Sequence, residues 1–396
     1  MRHFYPIFSG LLITLISTAA FAADPAKDGA DKKKWDVNHP PGEALTVALD
    51  TTSGTWMSVD VSPDGKQIVF DMLGDLYVMP VAGGEAKAIT HTVAWEMQAR
   101  FSPDGKQLTY MSDAGGGDNV WVMNVDGSEA HAVTKEDFRL LNNPVWHPNG
   151  QYIAARKHYT GTRSLGSGEI WLYHSSGGAG VQLNEKATWQ KDLGEPAFSP
   201  DGRYVYYSQD TTAGKSFEYN KNSNGQIYQI FRKDLRDGKT IAIVSGAGGA
   251  VRPTPSPDGK YLAFVRRLRI KDKSESTLFL KNLSTGEEVP AWGQLERDMQ
   301  EAWAVHGVYP AFSWLPDSKQ IVVWAKGKIW RVDPFAKTAA EISFHIKDSR
   351  EVRAAVRYAT EVAPDQFDVR QLRWVNVSPQ GDKVMYSALG YLYVRD

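Results

Sequence analysis

Val61-Ser62-Pro63-Asp64-Gly65-Lys66-Gln67-Ile68-Val69-Phe70 places a tight turn between two apolar stretches, and the same turn returns six more times. The copies fall at residues 102–106, 147–151, 199–203, 256–260, 315–319 and 378–382. Proline fixes φ at the first corner of such a turn, and Asp-Gly or Asn-Gly supplies the residues that tolerate positive φ, so each copy reads as a hairpin. The prolines stand at 63, 103, 148, 200, 257, 316 and 379, with steps of 40, 45, 52, 57, 59 and 63 residues. A spacing at or above 40 with several short strands per unit is the pattern of a β-propeller blade.

The first repeat predicts four strands, a at 57–61, b at 67–72, c at 75–81 and d at 86–90, with Ala82-Gly83-Gly84 turning c into d. An aromatic residue recurs at one place in strand c (Tyr77, Trp121, Trp171, Tyr228, Phe279, Trp330, Tyr393), which suits packing between blades. The run from Phe101-Ser102-Pro103-Asp104-Gly105-Lys106 to Val120-Trp121-Val122-Met123-Asn124-Val125-Asp126-Gly127 resembles the WD-type repeat of the periplasmic TolB propeller. Trp35-Asp36-Val37, followed by the stretch from Asp50-Thr51-Thr52-Ser53-Gly54-Thr55-Trp56 to Gly65, is similar to the TolB-like N-terminal part of large exported bacterial amidohydrolases. In that group a propeller precedes a metal-dependent hydrolase barrel. The resemblance therefore implies a non-catalytic propeller working beside a hydrolase.

Met1-Arg2-His3, the apolar run 7–20 and Ala20-Phe21-Ala22 form the pattern of a secretory signal peptide over 1–22, with residues 23–44 a polar lead-in containing Lys32-Lys33-Lys34. The apolar run is shorter than the roughly 20 residues that cross a bilayer, and no later stretch is apolar enough to span one. Export to the periplasm is the expectation. With no cysteine, stability has to come from packing, and disulfides or thiolate metal sites are excluded. A hydrophobic fraction of 42% with 35 Gly and 20 Pro suits strands and turns around a large interior. The formal net charge of -1 gives no reason to expect nucleic acid as a partner.

The repeat predicts one all-β domain over 45–396, a seven-bladed propeller of four-stranded antiparallel blades. The last copy offers strands a, b and c but no d, while 45–49 is a spare strand before the first blade. An N-terminal strand pairing with 391–395 would complete the seventh blade and remove its exposed edge. A chain interrupted before a catalytic domain would give the same C-terminal pattern.

Because strands alternate in direction, the a–b and c–d turns share one face of the disc, and the b–c and d–a connections share the other. The first set is short. The length added to later repeats falls on the second face, in b–c loops at 157–168, 210–225 and 266–276 and d–a connections at 292–308 and 345–370. Loops carried by a rigid scaffold are where binding is expected. Five residues before each motif proline, at the channel mouth on that face, stand Ser58, Gln98, Asn143, Glu195, Arg252, Ala311 and Trp374. All but Ala311 are candidate binding residues, with Glu195 and Arg252 the most distinctive pair.

No catalytic constellation is legible. The nine histidines (3, 39, 91, 131, 147, 158, 174, 306, 345) include no His-x-His pair, and no Gly-x-Ser-x-Gly elbow occurs. No cofactor is expected. The sequence predicts a binding or substrate-gating module whose partner is a protein or a covalently following hydrolase domain, with a peptide or small molecule in the channel. The rival is a stand-alone propeller hydrolase or lyase using Glu195, His306 or a captured metal at the channel mouth.

Overall fold

The repeated turn builds itself from its own side chains. Ser62 Oγ donates to Asp64 Oδ1 (2.7 Å) and accepts from Gln67 N (2.9 Å), while Gly65 N donates to Ser62 O (2.8 Å) at a φ of 71°. The arrangement recurs at Ser102/Asp104, Ser199/Asp201 and Ser256/Asp258. Hydrogen bonds from serine and from the turn's own amides hold the carboxyls of Asp64, Asp104 and Asp201 below the usual carboxylate range. These aspartates are turn-formers.

The computed structural model describes Asp36 and residues 39–160, 166–185, 188–302, 304–354 and 360–396. The expected signal peptide and residues 23–35, 37 and 38 of the lead-in lie outside them. Six four-stranded antiparallel sheets follow one another, each in the order a-b-c-d. In blade 1 the strands are Val59–Val61, Gln67–Met72, Asp75–Pro80 and Lys87–Ala88. Of the strand c aromatics, Tyr77 stacks on Phe70 and Phe279 tilts on Phe264, each across strands b and c of its own blade rather than between blades, and Phe231 stacks on Tyr207 in the same way.

The ring closes with six blades, which corrects the expected seven. Val59 N donates to Ala311 O (2.9 Å), Gly54 N to Gly327 O (3.0 Å) and Trp324 Nε1 to Gly54 O (2.8 Å), so blade 6 abuts blade 1 directly. One core cluster joins Val59, Ile68 and Phe70 of blade 1 to Val265 and Leu278 of blade 5 and Val322 and Val323 of blade 6. The predicted closing strand has another partner. Ala44–Thr51 pairs antiparallel with Phe344–Arg353, Leu45 opposite Val352 and Asp50 opposite Lys347, and Phe344 and His345 pair in parallel with Gly84 and Glu85. Phe344 and Ile346 are buried in the core, which fixes this arm on the seam between the first and last blades.

The seventh motif forms a separate three-stranded sheet, Arg373–Val377, Val384–Ala388 and Tyr391–Arg395. It repeats blade geometry down to the stack of Tyr386 on Tyr393. Among the described residues it pairs with no other sheet, and Val375 and Leu392 are exposed where the matching Val59 and Leu76 are buried.

Two of the expected b–c loops are extended hairpins. In blade 3 the ladder continues from Lys157 opposite Glu169 to Thr160 opposite Gly166, and in blade 5 from Arg266 opposite Thr277 to Ile270 opposite Lys273. Alternating residues on a long strand can pair outside the core, and the charges of 266–271 had masked that pattern.

Candidate functional site

Strand a of blades 2 to 5 carries a bulge at the same place, where the register slips between Met97 and Arg100, Asn142 and Val145, Gly194 and Ala197, and Val251 and Thr254. Each bulge holds a left-handed residue without being glycine: Gln98 (φ 60°), Asn143 (51°), Glu195 (58°) and Arg252 (55°). A bulge adds one residue and re-aims the side chain, and such backbone persists only where surrounding contacts hold it. Here hydrogen bonds from blade to blade do so. Asp71 accepts from Ser58 N (2.9 Å) and Gln98 N (2.6 Å), Gln98 Oε1 from Asn143 N (2.7 Å), and Glu195 Oε2 from Arg252 N (2.7 Å).

The structure thus brings Ser58, Gln98, Asn143, Glu195 and Arg252 to one ring, all of them buried. Trp374 is a correction: it has the same left-handed backbone (φ 54°) but sits in the separate sheet and is 77% exposed. It leaves the ring because six blades already close the channel.

What buries the ring is the chain itself. The connection from Glu288–Trp292 to Ser313–Trp314 crosses the mouth as a strap. Gln98 Nε2 (2.5 Å) and Asn143 Nδ2 (3.3 Å) donate to His306 O, and Arg156 Nη1 donates to Val305 O (3.0 Å). Glu195 Oε1 accepts from Val308 N (2.7 Å), and Arg252 Nε donates to Tyr309 O (2.7 Å). Gly307 fits because a Cβ there would lie 2.4 Å from Arg252 Nη2. Glu195 also accepts from Ser208 Oγ (2.6 Å) and faces Arg252 Nη2 at 3.2 Å.

Further ion pairs pin the strap and its surroundings. Arg267 reaches Asp298 through Nε (3.0 Å) and Nη2 (2.6 Å) and Glu301 through Nη2 (2.6 Å), and Ser276 Oγ completes Asp298 (2.6 Å). Lys221 Nζ bonds Asp210 Oδ2 (2.9 Å) and Gln300 O (3.3 Å). Arg156 pairs with Asp192 and contacts His158 Nδ1 at 3.1 Å. Burial, then the adjacent Arg156, pushes His158 down to about 3, so it is neutral. Burial lowers Arg252 to about 10, which leaves it charged.

Sequence reasoning found the five ring residues by counting back from the prolines and noticed the length of 292–308. It missed Asp71, Arg156, Asp192, Arg267 and Asp298. For Asp71, a charge between the apolar Phe70 and Met72 of one strand was the available signal, whereas Arg156, Asp192, Arg267 and Asp298 each stand beside another charged residue.

Burial raises Asp71 to about 6 despite its two amide donors. Its folded value lies above the ordinary carboxylate value of 3.8, so the stability it contributes is complete below that value and is lost as pH rises through about 6. Two units correspond to about 3 kcal/mol. Urea unfolding between pH 4.5 and 7.5 should show this slope, and Asp71→Asn should remove it; an unchanged slope would refute the assignment.

On the turn face the channel remains open. A cavity of about 330 Å³ is rimmed by Pro63, Pro103, Pro148 and Pro200, and its floor reaches Glu195 and Arg252. Its walls carry Arg100, which pairs with Asp60 at 3.2 Å, together with Trp146 and Phe312. The channel is a cup closed at the strap.

Six four-stranded blades around one channel define a β-propeller. Residues 47–226 match the TolB beta propeller domain, and the chain is similar in fold to solved TolB structures. It superposes on TolB from Acinetobacter baumannii with a TM-score of 0.55 and 14% identity, over 74% of this chain and 64% of that one. It is 25% identical over 176 residues to a putative tricorn-like protease C-terminal subunit of Sulfurisphaera tokodaii, covering 44% of this chain and 19% of that protein. It is also 25% identical over 199 residues to an uncharacterized peptidase, YuxL, of Bacillus subtilis, covering 50% and 26%. The match thus spans about a fifth to a quarter of these relatives' length.

Proposed function

We propose that this chain is a periplasmic binding or substrate-gating propeller, working beside a metal-dependent amidohydrolase barrel. The observation that carries the reading is the one-ended cup. A channel stapled shut at one mouth and open through a proline-rimmed cavity at the other suits holding a ligand more than conducting one. The peptide or small-molecule ligand accordingly enters from the turn face, and the decorated loop face serves the protein partner. Glu195, the residue a propeller enzyme would need as its base, already accepts from Arg252 N, Val308 N and Ser208 Oγ in a buried site, which favours structure over proton transfer.

The test is titration of the purified chain with a mixed short-peptide and organic-acid library, read by calorimetry. Binding should fall more than about tenfold in Arg100→Glu, which places like charges together in the cavity wall, and stay unchanged in Lys215→Glu on the loop face. Binding that survives Arg100→Glu would sink the cup reading. Turnover of amide, ester or lactone substrates that a single substitution in this chain abolishes would replace it with the enzyme reading.

A further inference from the structure

We infer that His345 is a pH-operated clasp on the seam of the ring, holding the outer arm against blade 1 as an imidazolium and loosening it on deprotonation. The arm is the pair Ala44–Thr51 and Phe344–Arg353, and three segments meet at this histidine. His345 Nδ1 lies 2.7 Å from Glu85 Oε1, on the strip between strands c and d of blade 1. Nε2 lies 2.8 Å from Asp50 Oδ1, at the end of the N-terminal strand. Phe344 and Ile346 point into the core on either side, so the imidazole has no other face to present.

A neutral imidazole has one N–H, and only the protonated ring donates from both nitrogens. Loss of the proton therefore leaves one carboxylate against a bare lone pair. Both carboxylates are acceptors, and each is bound to a different segment, so the proton joins all three. The other charged groups around the seam are accounted for. Lys347 stands opposite Asp50 in the register, Arg350 pairs with Asp348 (2.9 Å) and with Asp75 of blade 1 (2.7 Å), and His91 Nδ1 contacts Arg350 Nη1 at 3.0 Å. None of these reaches the His345 ring.

The hydrogen bonds to Asp50 and Glu85 raise His345 above its ordinary value of 6.5. A raised histidine contributes fully below 6.5 and loses its contribution as pH climbs through the folded value. The seam has its own reporters, because Gly84 N donates to Ser343 O (2.9 Å) and Ala86 N to His345 O (2.8 Å).

The experiment is proton NMR titration of His345, identified by its absence from His345→Gln, together with hydrogen exchange at Gly84 and Ala86 from pH 6 to 9. His345 should titrate above 6.5 and move down in both Glu85→Gln and Asp50→Asn. Protection factors at the two amides should fall about three- to fivefold over that range in the natural chain, the scale of a solvent-screened pair. In His345→Gln they should be low and independent of pH. A His345 titration at or below 6.5, or the same pH dependence of protection in His345→Gln, overturns the clasp.

Discussion

Glu195→Ala is expected to destabilise the ring by about 3–5 kcal/mol, the usual consequence of stranding one member of a buried ion pair. The carboxylate serves three elements at once. Without it, the amides of Arg252 and Val308 and the hydroxyl of Ser208 lose their acceptor, and the buried Arg252 guanidinium loses its counter-charge. The converse change should be milder. In Arg252→Met the Glu195 carboxylate keeps those three donors, so its charge stays solvated by the protein and the loss should be about half as large or less. Urea unfolding of the two variants beside the natural chain measures both. A Glu195→Ala loss below about 1 kcal/mol, or an Arg252→Met loss exceeding it, would show that the ring is not organised on this carboxylate.

The Pro-Asp-Gly turns made the blades legible because each turn is local: Ser62, Asp64 and Gly65 satisfy one another within a few residues. The ring residues were legible for a related reason, since a fixed offset from a fixed turn puts Gln98, Asn143, Glu195 and Arg252 at equal depth. Blade number was not local information. Six or seven copies of the same unit can close a ring, and the choice rests on how Val59 meets Ala311 and how Phe344 and Ile346 fill the seam. The strap was legible as a long connection but not as a plug, because its contacts to the ring are main-chain atoms of 305–309. Backbone groups carry no sequence signature.

Gly307→Val is expected to lift the strap from the channel mouth and cost about 3 kcal/mol. Two effects add. A β-branched residue at a φ of +108° is strained whatever surrounds it, and its Cβ would meet Arg252 Nη2 at 2.4 Å and Glu195 Oε1 at 3.2 Å. An arginine tip ordinarily swings aside at little cost. Arg252 cannot, because Nε is held by Tyr309 O (2.7 Å) and Nη1 by Asn143 Oδ1 (2.8 Å), and moving it uncovers Glu195. Gly286→Val separates the two contributions, since that turn glycine also has positive φ (79°) but nothing within 4 Å of a Cβ. Gly286→Val should therefore show only the backbone strain, about 1–2 kcal/mol. In Gly307→Val, exchange of the Val308 and Tyr309 amides should rise at least about tenfold, the equivalent of 1.4 kcal/mol of local opening, while the amides of the blade strands stay protected. If the two variants lose equal stability and Val308 exchanges as in the natural chain, the strap is not held by its contact with Arg252, and the closed end of the cup must be maintained by the Arg267–Asp298 anchor instead.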